Sequence, residues 1–170
     1  MRSLGFYVLL CIASFYSYAH ELQLKGELTQ GSLLRGQLAN VSQMWLNDQT
    51  IKISEQGYFV FGFGRDAALQ QHLKWVDHQG NIQTKILTLR KRTYKEQKIE
   101  GVASKYVSPP KAVTARIKKD NQQIGKARAN DADRIDFTQD FIWPAAGPIS
   151  GVYGSRRVFN GTPKRPHYGV

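Results

Sequence analysis

The chain has 170 residues, with 24 Lys and Arg against 13 Asp and Glu, four His, one Cys, 41% hydrophobic residues and a formal net charge of +11. That length gives one ordinary domain, or one small domain and part of another, and the apolar content excludes wholesale disorder. The charge points to an anionic partner, nucleic acid or a polyanionic surface, without choosing between them.

Met1-Arg2-Ser3 puts a positive charge ahead of an apolar and small stretch, Leu4 to Phe15, and Ser17-Tyr18-Ala19 then offers small residues around a cut site. This is the order of a secretory signal peptide, residues 1–19. The stretch is shorter than the ~20 residues that span a bilayer, so no transmembrane anchor is expected once the signal is cleaved. Cleavage removes Arg2 and Cys11, leaving a mature chain without cysteine. A disulfide, a thiolate nucleophile and a cysteine-type zinc site are thereby excluded. Leu10 is too large for Cys11 to be a lipoprotein cysteine. The expected location is outside the cytoplasm, in the periplasm or cell envelope, where cell-wall polymers and lipid headgroups are the available anions. No nucleic-acid partner is expected. His20 would become the new N-terminus, the start of a copper brace for which no second His is identified.

Residues 20–104 read as an antiparallel β-sandwich. Leu22, Leu24 and Leu28 alternate, Leu33-Leu34 to Leu38 follows, Met44 to Leu46 and Ile51 to Ile53 flank the turn Asn47-Asp48, and Tyr58 to Phe63 is aromatic and β-branched. Gly31, Gly36, Gly57, Gly64 and Gly80 punctuate these runs at sandwich spacing. Residues 72–76 and 82–89 enclose Asp77 to Asn81 as a hairpin, with Trp75, Ile82, Ile86 and Leu89 on buried positions. Gly62-Phe63-Gly64 is no nucleotide loop, because such a loop opens a helix and Arg65-Asp66 follows instead. Arg90-Lys91-Arg92 with Lys95 and Lys98 reads either as the solvated face of a last strand or as a binding patch. His72 and His78 are hairpin residues without a chemical role.

Residues 105–136 form a linker with a helix. Ser108 is placed as N-cap and Pro109 as the first helical residue. Val113, Ile117, Ile124 and Ala127 make one narrow stripe lying on a neighbour, with Lys118, Lys119, Lys126 and Arg128 opposite. Asp131, Asp133 and Asp136 lack the glycine and closing Glu of a calcium loop and read as solvated linker.

Residues 137–170 change character. Trp143-Pro144, Gly147-Pro148 and Gly151-Val152-Tyr153-Gly154 break short apolar strands, and Asn160-Gly161 is a turn dipeptide. About thirty residues cannot bury their own apolar face, so this segment is expected to open a longer all-β domain. The fold class is therefore mainly β: a sandwich, a short linking α-helix, and the first strands of an incomplete domain.

Trp143, Pro144, Gly147, Ile149, Ser150, Gly151, Tyr153, Gly154, Ser155 and Arg156, then Asn160-Gly161, then Arg165-Pro166-His167-Tyr168-Gly169-Val170, resemble the opening of the catalytic domain of LytM/lysostaphin-type zinc metallopeptidases. Gly57 to Asp66 and the helix Val113 to Arg128 carry a weaker similarity to the exported β-sandwich and helix that precede this domain in envelope members. The resemblance implies a zinc metalloendopeptidase that hydrolyses peptide cross-links or stems of peptidoglycan, with one zinc ion as cofactor. It makes His167 the first zinc ligand, in a pattern His-x(3)-Asp, with a later His-x-His supplying the third ligand and a catalytic His. The Asp and the His-x-His stand beyond Val170. No catalytic residue then falls within the chain, substrate-binding residues are unassigned, and the 170 residues are expected to be inactive alone, since zinc catalysis needs three protein ligands. Arg156, Arg157, Lys164 and Arg165 read either as guides for the anionic wall or as a solubilising surface. A non-catalytic relative that binds the wall or activates an envelope amidase or divisome partner is the second reading. An exported adhesion or scaffolding sandwich is the third.

Overall fold

Period-two alternation of apolar residues builds two antiparallel sheets over one core. The structure, a computed structural model, describes residues 21–108, 110–149 and 151–169. The expected signal peptide with Cys11, the copper candidate His20, and the residues Pro109, Ser150 and Val170 lie outside the described residues. Strands β1 (Gln23–Lys25), β2 (Leu33–Gln37) and β5 (Tyr58–Gly62) form one sheet in the order β1-β2-β5. Strands β3 (Val41–Leu46), β4 (Gln49–Ile51), β6 (Gln70–Asp77) and β7 (Ile82–Thr88) form a second in the order β4-β3-β6-β7.

Leu34, Phe59 and Phe61 of the first sheet meet Met44, Leu73, Trp75 and Leu87 of the second, and Leu38, Phe63 and Leu89 close the ends. Phe59, Leu34, Met44, Leu73 and Leu87 are fully buried, each contributing roughly 1.5–3 kcal/mol by leaving water. Gly36 stands opposite Phe59 across the β2–β5 pair, and a Cβ on it would lie 2.2 Å from the Phe59 ring. Glycine there lets the ring lie flat across the neighbouring strand. Gly62 ends β5 and Phe63 is buried just beyond it, so the Gly62-Phe63-Gly64 pattern marks the exit of a core strand.

The turns follow side-chain chemistry. Asn47, at φ +54°, links β3 to β4; its Oδ1 accepts from the His72 N–H at 2.9 Å, and its Nδ2 donates to Gln71 Oε1 at 2.9 Å. In the β6–β7 turn, Asp77 Oδ1 accepts from the N–H groups of Gln79 and Asn81, and Oδ2 accepts from Asn81 Nδ2. The Asn81 amide, followed by these backbone donors, holds the Asp77 carboxyl below the usual carboxylate range.

Two expectations for this hairpin fail. Ile82 and Ile86 are 68% and 58% exposed. Register pairs Val76 with Ile82 and His72 with Ile86, on the face opposite Leu73 and Trp75. The inward residues of β7 have the other parity, which carries Leu87 into the core and Leu89 beyond the strand end.

Strand β8 (Glu96–Ile99) leaves the sandwich and joins β9 (Arg156–Phe159) and β10 (Thr162–Pro163) in a third sheet, ordered β10-β9-β8. β8 pairs with β9 in parallel and β9 with β10 antiparallel. Between β8 and β9 come α1 (Ser104–Val107), α2 (Lys111–Arg128) and a single 3-10 turn, Asp136–Thr138. The chain is mainly β.

α2 begins at Lys111 with Pro110 as N-cap, and Ser108 instead closes α1, correcting the expected cap. None of its residues is buried. The Val113, Ile117, Ile124 and Ala127 stripe therefore lies on no neighbour among the described residues, contrary to expectation. The segment that follows α2 makes polar contacts with the sandwich. Arg35 on β2 donates to the Gln139 carbonyl at 2.9 Å, pairs with Asp140 at 3.5 Å and lies 5.9 Å from the Phe141 ring centre. Lys52 pairs with Asp133 at 2.8 Å and Asp131 at 3.1 Å, which raises the lysine and lowers Asp133. Asp136 binds Arg134 at 2.6 Å. These three carboxylates are thus engaged with cations. Among the described residues, no helix is long and apolar enough to cross a membrane.

Candidate functional site

The candidate ligand His167 sits just past a hairpin whose geometry explains its position. Asn160 and Gly161 both have positive φ, +48° and +74°, the backbone a two-residue type I′ turn demands. Asn160 also extends the β8 pairing. Its N–H donates to Ile99 O at 3.0 Å, its Oδ1 accepts from Val102 N–H at 3.0 Å and its Nδ2 donates to Val102 O at 2.7 Å. The hairpin ladder runs from Phe159↔Thr162 to Val158↔Pro163, and Lys164 N–H continues it to Arg157 O at 2.9 Å.

In that register Pro166 would face Ser155. Proline has no N–H to donate, and the ladder resumes one residue later. His167 N–H donates to Ser155 O at 2.8 Å, and Gly154 N–H donates to His167 O at 2.7 Å. The extra residue behaves as a bulge, a device that re-aims a side chain at a strand end. It turns the His167 ring into an open cleft of about 750 Å³.

The imidazole is oriented as well as positioned. Nδ1 lies 2.7 Å from the Gly169 carbonyl oxygen. A carbonyl only accepts, so in the neutral ring Nδ1 carries the proton and Nε2 keeps its lone pair. Metal-binding histidines are commonly held in this way, by a second hydrogen bond to a carbonyl. Gly151 lies alongside, and a Cβ added there would reach the ring at 3.6 Å.

The rest of the segment is locked to the sandwich through Tyr94. Gly154 is buried at φ +83°, where an added Cβ would come within 2.1 Å of the Tyr94 ring, and a Cβ at Gly31 would meet Tyr153 and the Tyr94 hydroxyl at 2.6 Å. Arg65 donates from Nε to Gly154 O at 2.8 Å and stacks 4.4 Å from the Tyr94 ring centre, while the Tyr94 hydroxyl donates to Arg65 O at 3.0 Å. Burial pushes the Tyr94 phenol up. On the other side of the segment, Tyr153 and Tyr168 rings meet at 5.9 Å.

Arg156, Arg157, Lys164 and Arg165 all line the His167 cleft, so the structure brings the anticipated cations together with the candidate ligand. Lys95 and Glu96 line it too. Glu96 was not foreseen, and Lys95 belonged to the undecided basic run. Their arrival depends on the parallel β8–β9 pairing, in which Arg156 N–H donates to Lys95 O at 3.0 Å and the Arg156 guanidinium binds Glu96 Oε2. His72 stands on the outer face of the four-stranded sheet and His78 in the β6–β7 turn, and neither lines the cleft.

A structural zinc site is four-coordinate and a catalytic one needs three protein ligands with an open position. Among the described residues, no three His, Cys, Asp or Glu side chains are grouped to hold a metal ion. His167 can supply one ligand. The described residues do not fit a complete zinc site, and no catalytic step is assigned through them. No protein-family model matches the chain, and no curated protein matches it.

Proposed function

We propose that this protein is an exported zinc metalloendopeptidase of peptidoglycan, resembling the LytM/lysostaphin type, in which His167 is one zinc ligand and the other ligands come from outside the described residues. The single observation that supports this reading is the hydrogen bond from His167 Nδ1 to Gly169 O, with the bulge that aims the ring into the cleft. Together they leave Nε2 free to ligate, and they do so at the position that the sequence resemblance assigns to a ligand. Zinc would supply Lewis acidity and an activated water. The chain's own contribution is to hold the imidazole and to line the approach with cations.

The experiment is cross-link cleavage by the complete gene product on purified peptidoglycan with zinc. The expected result is release of uncrosslinked stem peptides, abolished by His167→Ala. Retention of every cross-link by a folded, zinc-loaded protein would contradict the reading. That outcome would favour the second reading, a non-catalytic LytM-like protein that binds the wall or activates an amidase partner, for which the cation-lined cleft is the favouring observation.

A further inference from the structure

Two basic stretches about 60 residues apart in the sequence meet in the cleft because β8 and β9 run in parallel. Lys95, Arg156, Arg157, Lys164 and Arg165 face it with one carboxylate, Glu96, which is engaged by Arg156. The Lys164 ammonium is held by the Val107 carbonyl and lies 6.0 Å from the Phe159 ring centre. Lys95 and Arg165 are exposed.

We propose that this cleft binds a linear, phosphate-bearing polyanion without nucleobases, and that it does so independently of any peptide hydrolysis. The cations are spread over both stretches, at Lys95, at Arg156 and Arg157, and at Lys164 and Arg165, so a ligand with one charge meets only part of the set, whereas a polymer with repeating charges meets all of it. Guanidinium groups are suited to phosphate oxygens, which they can grip by two parallel hydrogen bonds. The rings in the lining are Phe159, which Lys164 lies over, and the single His167 imidazole. Among the described residues of the lining there is no row of rings on which successive bases could stack. Ile149, Val152 and Pro166 add apolar lining suited to an aliphatic backbone between the phosphates.

The test is binding of fluorescent inorganic polyphosphate to the full chain in chelator-containing buffer, which removes any contribution from zinc or hydrolysis. Polyglutamate of matched charge serves as the carboxylate arm. The expected affinity falls with salt as about 0.7 log units per log unit of salt for each phosphate neutralised. The double variant Lys95→Gln/Arg165→Gln is expected to weaken binding at least about ten-fold and to reduce the salt slope by about 1.4. Lys118→Gln/Lys119→Gln, an equal loss of charge on α2, is expected to leave both quantities unchanged. Equal losses from the two double variants would assign binding to diffuse net charge and overturn the proposal. Tighter binding of polyglutamate would overturn the preference for phosphate. Loss of peptidase activity alone would leave the proposal standing.

Discussion

Residues 21–89 and residues 151–169 are both built from short strands, yet different forces hold them. The first region closes two sheets over a shared apolar core that includes Phe59, Met44 and Leu73. The second buries Val158 and the backbone of Gly154 and otherwise depends on strand pairing, hydrogen bonds and ring contacts to the first region and to the stretch that follows it: Arg65 and Tyr94 against Gly154, β8 along β9, Asn160 to Val102. The contrast teaches that the sandwich can tolerate changes at its surface, whereas the segment carrying His167 is only as ordered as its few clamps.

Leu73→Ala is the change that should cost most. Leu73 is fully buried between the sheets, and such truncations cost about 2–5 kcal/mol. Urea unfolding monitored by far-UV circular dichroism should read that loss; one below about 1 kcal/mol would break the claim that the core closes there.

Gly154→Ala comes next, at about 1–3 kcal/mol for a left-handed backbone forced on a side chain, before its collision with Tyr94 is counted. Its effect should be local. The Tyr153 and Tyr168 resonances should lose their ring-contact shifts while those of Phe59 and Leu87 stay in place, and a coupled loss in both sets would erase the distinction between the regions.

Asn160→Ala removes both side-chain bonds to Val102 and should cost about 1 kcal/mol, seen as faster amide exchange at Val102. Ile86→Thr should stay within about 0.5 kcal/mol, as expected of a surface position. A larger loss on urea unfolding would mean that the outer face of β7 is covered in solution.

The same contrast separates what was legible in the sequence from what was not. The sandwich strands, the Asn47-Asp48 turn and the Asp77 to Asn81 hairpin could be read because local alternation and turn chemistry determine them. Ile82 and Ile86 were misassigned because Leu87 and Leu89 belong to the opposite parity, and only cross-strand register decides which parity faces inward. The α2 stripe has helical spacing, but spacing does not say whether a partner surface is free. Here no residue of α2 is buried. Strand β8, Glu-Gln-Lys-Ile, has almost no apolar signal, and its parallel partner lies far along the chain. The convergence of Lys95 with Arg156 and Arg165 was therefore out of reach. His167 was legible as a residue through resemblance, but its tautomer was not, since that depends on the Gly169 carbonyl reaching Nδ1.

The most direct measurement of the central claim is the nitrogen NMR spectrum of the His167 ring at a pH where it is neutral, before and after zinc is added. A proton on Nδ1, a bare Nε2 resonance and a zinc-induced shift centred on Nε2 are expected. A ring protonated at Nε2, with zinc leaving both nitrogens unmoved, would contradict that claim.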